Sequence, residues 1–161
     1  MKKLILTLFL FSCQKGIEIA PVSGFELEKY LGKWYEIART DNSFEKGCTN
    51  VAAEYTLQSH GLIKVLNTCD KNGKIKQAKG VAKFAKTADI GLLKVSFFRP
   101  FYGTYNIVYL SKDYKEAIIY GGKPKYIWIL ARSQKLEDAK LNQLLAKIKD
   151  FGLDEKTLLI Q

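Results

Sequence analysis

The chain has one histidine and three cysteines among its 161 residues. The one imidazole, His60, lies in a Ser59-His60-Gly61 turn with no serine or cysteine in evident reach, so a nucleophile–base pair has nothing to build on. No His/Cys/Asp/Glu spacing suits a metal cluster, and no glycine-rich loop is set to cradle a phosphate. The sequence thus offers no catalytic set, no metal site and no cofactor, and reads as a non-enzyme. It also lacks an apolar run approaching the roughly 20 residues of a membrane-spanning helix. Acidic residues are scarce beside basic ones, 16 against 26, for a formal charge of +10. The lysines are scattered rather than clustered, which describes a solvated exterior with a general attraction to anionic surfaces, lipid head groups included. No nucleic-acid-binding motif accompanies them, so no nucleic acid is expected as a partner.

What is present begins with an export signal over residues 1–12. Lys2 and Lys3 form a positive start, and Leu4 to Phe11 an apolar stretch too short to cross a bilayer. Leu10-Phe11-Ser12-Cys13 resembles a bacterial lipobox, in which the chain is cut before the cysteine and that cysteine is acylated. Gln14, where an aspartate would signal retention, implies sorting to the outer membrane of a Gram-negative bacterium, with the protein lipid-anchored and facing the periplasm. A plain secretory signal beside an incidental cysteine is the alternative. Residues 13–23 read as a lipidated tether and residues 24–161 as one domain with a single core.

In that domain the dominant period is two. Gly32 to Arg39 alternates, with Trp34, Glu36 and Ala38 on one face and Tyr35, Ile37 and Arg39 on the other. Further strands are predicted at 51–58, 62–68, 75–86, 92–98, 102–110, 117–120 and 126–132, each joined to the next by a turn. Gly80 inside the fourth suggests a bulge or bend. Eight short strands in a meander expose two edges unless they close, and closure at eight makes a barrel wide enough for one small ligand. The period then becomes helical: Leu141, Leu144, Leu145, Ile148 and Phe151 make one apolar stripe over 136–150, with no good capping residue at its start. That stripe is expected against the outside of the barrel, and Leu158 to Ile160 as a last short strand. Cys48 and Cys69 flank the hairpin of 51–58 and 62–68, so an exported chain can join them, with two unpaired thiols as the alternative.

Three separated segments resemble the lipocalin signature: Gly32-Lys33-Trp34, Asp113-Tyr114, and Ile129-Leu130-Ala131-Arg132 before the helix. Pro21 to Phe25, Tyr30 to Arg39, Ser43 to Glu45, Leu93 to Phe98, Pro100 to Gly103 and Trp128 to Leu130 extend the likeness to the bacterial outer-membrane lipocalins of the Blc type, a branch related to apolipoprotein D. Cys48 and Cys69 depart from that pattern. The resemblance implies an all-β, eight-stranded up-and-down antiparallel barrel with one C-terminal α-helix outside it. It also implies a structural role for Gly32, Trp34, Asp113, Tyr114 and Arg132, with Arg132 packed on Trp34 to plug one end.

Alternation within such a barrel turns Glu36, Ala38, Tyr55, Val65, Asn67, Phe97, Tyr105, Ile107, Tyr126 and Trp128 inward as ligand-binding positions. The family's ligand-lining positions match Tyr55, Asn67, Tyr105 and Trp128. An apolar, aromatic wall with a few polar tips suits a fatty acid or a lysophospholipid, stored or carried for membrane maintenance or under stress. A lipocalin-fold enzyme acting on a hydrophobic substrate and a ligand-free structural surface lipoprotein are the alternatives. Monomer and homodimer both remain open.

Overall fold

Asn72 and Gly73 both have positive φ, 55° and 76°, and Asp70 accepts from the Gly73 amide at 2.7 Å. This is the turn chemistry that joins two antiparallel strands with the twist of a sheet. In the computed structural model, which describes residues 17–161, such turns build a meander. A short helix α1 (Leu27–Tyr30) leads into β1 (Gly32–Thr40). There follow β2 (Thr49–Leu57), β3 (Ile63–Lys71), β4 (Lys74–Phe84), β5 (Leu92–Phe98), β6 (Phe101–Leu110), β7 (Glu116–Tyr120) and β8 (Ile127–Ala131). Helix α2 (Asp138–Asp150) and a short β9 (Leu158–Ile160) complete the chain. The export signal of 1–12 and Cys13 lie outside the described residues.

Each strand pairs antiparallel with the next, and β1 pairs with both β8 and β2. The eight strands therefore close into a barrel without free edges, which is the fold class the alternation predicts. β9 is a ninth strand added alongside β1 at Ala38–Thr40. The predicted strand ends fall within a few residues of those observed. Gly80 differs from expectation: it stays in register opposite Val65, with no bulge against β3. A Cβ there would lie 2.8 Å from the Phe97 ring and from the Ser96 carbonyl, so the missing side chain makes room for Phe97.

Two apolar clusters divide the molecule. One, with Trp34, Tyr55, Ile63, Val65, Ala82, Leu93, Ile107 and Ile119, fills the barrel interior. The other lies on the outside of β1, β6, β7 and β8 and contains Ile118, Ile127, Ile129, Leu144 and Ile148. Leu144 and Ile148 are the buried centre of the α2 stripe, so the helix packs where the sequence period places it. Its N-cap, Glu137, makes no side-chain cap, in keeping with the lack of a good capping residue at the helix start, and the helix begins two residues later than the predicted 136. Residues 19–25 run along the outside of the barrel toward the end that holds α1, held by Asn106 Nδ2 donating to Ile19 O at 2.7 Å and Val22 N to Ile107 O at 2.9 Å. Among the described residues no helix is long and apolar enough to cross a membrane.

Candidate functional site

The barrel has two unlike ends. At one, α1 crosses beneath β1, and Trp34 is completely buried. Its Nε1 donates to the Tyr30 carbonyl at 2.8 Å, and the Arg132 guanidinium lies over its ring at 4.0 Å. Arg132 also donates to the carbonyls of Lys29, Tyr30, Lys33 and Tyr114, at 2.8 to 3.3 Å. Tyr114, with φ of 57° in the turn before β7, in turn accepts from the Glu26 amide at its hydroxyl. Burial lowers the Arg132 pKa below the ordinary range, while the neighbouring Tyr30 and Tyr55 pull it upward. This end is closed.

Above the plug, three tyrosines share one hydroxyl chain. Tyr105 is hydrogen-bonded to Tyr30 and to Tyr55, each at 2.7 Å. Burial is the main cause that keeps all three phenols protonated, raising Tyr30 and Tyr105 well above the usual value and Tyr55 to about 12. Val65 and Ile107 complete an apolar belt at this level.

The opposite end is polar inside. Arg39 Nη1 donates to Glu36 Oε1 at 2.5 Å, with both side chains buried. Arg39 also donates to the carbonyls of Glu45 and Cys48, both at 3.1 Å, while its Nε has no partner. The β1–β2 loop is organised by Asn42, whose Oδ1 accepts from the Phe44 and Glu45 amides and whose Nδ2 donates to Glu45. The Glu45 carboxylate accepts from Trp128 Nε1 at 2.9 Å, which draws this loop across the mouth. The Cys48–Cys69 disulfide ties the same loop to β3. Burial first, then the Glu45 carboxylate, push the Glu36 carboxyl up to about 8, although the guanidinium beside it pulls the other way.

Of the ten positions predicted to line the interior, Glu36, Tyr55, Val65, Tyr105, Ile107 and Trp128 belong to the inner wall. Asn67 stands opposite Ala53 on the same wall, with its Oδ1 buried and unpartnered. Tyr126 stacks on Trp128 at 6.2 Å, at the mouth rather than in the depth. Phe97 sits over Gly80 and is 46% exposed. Ala38 does not line the interior: it packs on the α2 side with Ile129 and Ile148. The reason is a register shift between Glu36 and Ala38 against β8, which turns Ala38 outward and brings Arg39 opposite Trp128 on the inner face. Simple alternation assigned Arg39 to the outside and so missed it, along with Asn42 and Glu45 in the loop. The signal available was chemical, since an arginine on a face otherwise made of Tyr35 and Ile37 has no partner there, whereas Glu36 lies three residues before it.

Two clefts on the described surface, of about 690 and 290 Å³, are both outside the barrel. The larger lies beside the closed end along Lys29, Tyr114 and Arg132, and the smaller on the outer wall beside Val81 and Ser96. At the closed end the interior is packed with rings: Tyr30 is 4.8 Å from Trp34 and 5.5 Å from Tyr55, centre to centre.

Comparison with known proteins follows this architecture. Residues 25–161 match the lipocalin-like domain family. An outer membrane lipoprotein Blc from Vibrio cholerae is 42% identical over 144 residues, which is 88% of this chain and 84% of that protein. The protein of the same name from Escherichia coli K12 is 38% identical over 142 residues, 87% and 79% of the two chains. Among solved structures, insecticyanin from the tobacco hornworm Manduca sexta superposes with a TM-score of 0.73, covering 89% of this chain and 84% of its own. At 22% identity that likeness bears on the fold alone.

Proposed function

The chain belongs to the lipocalin family, and from that premise we propose that it is an outer-membrane lipoprotein that binds an amphipathic lipid, a fatty acid or a lysophospholipid, in its barrel. The observation that carries this reading is the gradient along the inner wall. Glu36, Arg39, Glu45 and Trp128 make a polar, charged mouth, and Tyr55, Val65, Tyr105 and Ile107 an increasingly apolar depth above a sealed floor. A molecule with an ionic head and a hydrocarbon tail fits that order. Arg39, with a buried Nε lacking a partner, favours an anionic head.

Rings fill the closed end and Glu45 reaches across the mouth to Trp128, so a long tail needs an opening, and magnitudes decide whether that is feasible. Entry breaks the Glu45–Trp128 bond and the two tyrosine hydroxyl bonds, at about 1 kcal/mol net each. Burying a tail gains roughly 0.8 kcal/mol per methylene, so four or five methylenes offset the loss. A long acyl chain opens the barrel; a short one does not. Anchoring through an acylated Cys13 would keep such a carrier at the membrane whose lipids it handles.

The test uses delipidated protein and a fluorescent fatty acid. Saturable binding, displaced by lysophospholipid and by long but not short fatty acids, with no product by mass spectrometry, supports the reading. Turnover of the lipid would make the protein an enzyme, and absence of binding would make it a structural lipoprotein.

A further inference from the structure

We propose that the open rim of the barrel is a docking surface for an anionic phospholipid bilayer, separate from whatever the interior holds. The strands run so that four loops, taken together with the strand ends that flank them, meet at the end opposite Trp34: residues 41–48, 70–76, 97–101 and 121–126. This end carries the largest exposed apolar side chains of the described residues. Phe44 is 78% exposed, Phe98 76%, Phe101 71% and Ile75 69%, one or two from each of three loops. Phe98 and Phe101 stack at 6.3 Å with planes 4° apart, which holds two rings together in water. Single exposed apolar residues need no explanation, but several gathered at one end do.

Charge decides the occupant. The same four loops contain seven lysines and arginines against three acidic residues, and one of the three, Glu45, is engaged inside with Trp128. Among the described residues none of the seven is in an ion pair. Phenylalanines ringed by lysines suit a bilayer interface, where rings enter the acyl boundary and ammonium groups meet lipid phosphates. A second copy of the chain would bring the same positive rim against itself, which disfavours self-association.

The experiment uses the unacylated chain beginning at Gln14, which contains every described element, with vesicles of phosphatidylcholine alone or mixed with phosphatidylglycerol. Cosedimentation with the mixed vesicles is expected, weakening as salt is raised. The double variant Phe98→Ser/Phe101→Ser is expected to lower partition about tenfold, with its melting temperature and its fatty-acid binding unchanged. Phe44→Ser, from a different loop, should lower partition in the same direction. Equal sedimentation of parent and double variant overturns the proposal, as does failure of the parent to bind anionic vesicles. So does a result in which the phenylalanines matter only for dimer formation, read by light scattering. Fatty-acid binding in the same variants separates failure of this surface from failure of the interior reading.

Discussion

Arg132 lies over the indole of Trp34, its guanidinium carbon 4.0 Å from the ring centre, and donates to four backbone carbonyls around it. The planar fork reaches the carbonyls of Lys29, Tyr30, Lys33 and Tyr114 from one position, so a single side chain joins α1, β1 and the turn before β7 to the end of β8. Lysine has the charge without the fork. Arg132→Lys is therefore expected to lose about 2–3 kcal/mol by urea unfolding, and Arg132→Met somewhat more, because the carbonyls are then left without a donor. A loss below about 0.5 kcal/mol would show that the plug is ornamental.

Tyr105 is the middle of the hydroxyl chain, and removing its oxygen leaves two partners stranded. Tyr105→Phe keeps the ring and deprives both Tyr30 and Tyr55 of their bond. The expected destabilisation is about 1–3 kcal/mol, larger than for Tyr30→Phe or Tyr55→Phe, each of which breaks only one bond. Equal losses for the three variants would mean that the chain does not act as drawn.

The Cys48–Cys69 disulfide closes a loop with a sequence separation of 21. Chain-entropy reasoning gives it about 3 kcal/mol. The double variant Cys48→Ser/Cys69→Ser should lose that much in denaturant and show the change in hydrogen exchange mainly over residues 41–48, where the disulfide holds the mouth loop. Uniform loss of protection across the barrel would contradict a local role.

Strand by strand, the fold was legible because alternation and turn chemistry agree. Asn72-Gly73 closes a hairpin, and the helical stripe of Leu144 and Ile148 has one place to go. The site was legible only where alternation continues unbroken. Tyr55, Val65, Tyr105 and Ile107 are in regular stretches and face inward as expected. Ala38 is not, because one extra residue in β1 changes the parity of everything after it, and alternation alone does not announce it; only the pairing of Arg39 with Glu36 three residues earlier hints at the shift. Glu45 was hidden for a different reason: it acts from a loop, through an 83-residue separation from Trp128, and loops have no period to read. Gly80 was legible as special but not as to why; it serves a neighbouring ring rather than a bend.

The charge state of Glu36 makes the last prediction, and its sign follows from linkage. A carboxyl that titrates near 8 in the folded barrel and near 4.5 otherwise binds more protons folded than unfolded between those values. Stability then falls as pH rises from 4.5 toward 8 and levels off above it. Glu36→Gln cannot ionise and keeps an oxygen for Arg39, so it should lack this slope. The variant is expected to match the parent within about 1 kcal/mol near pH 5 and to exceed it by on the order of 4 kcal/mol near pH 9, measured by urea midpoints at each pH. The opposite pattern discriminates sharply. Were Glu36 held ionised by Arg39 through neutral pH, Glu36→Gln would strand a buried guanidinium and cost several kcal/mol at pH 7, and the mouth would be an ion pair in the full sense rather than a protonated acid beside a cation.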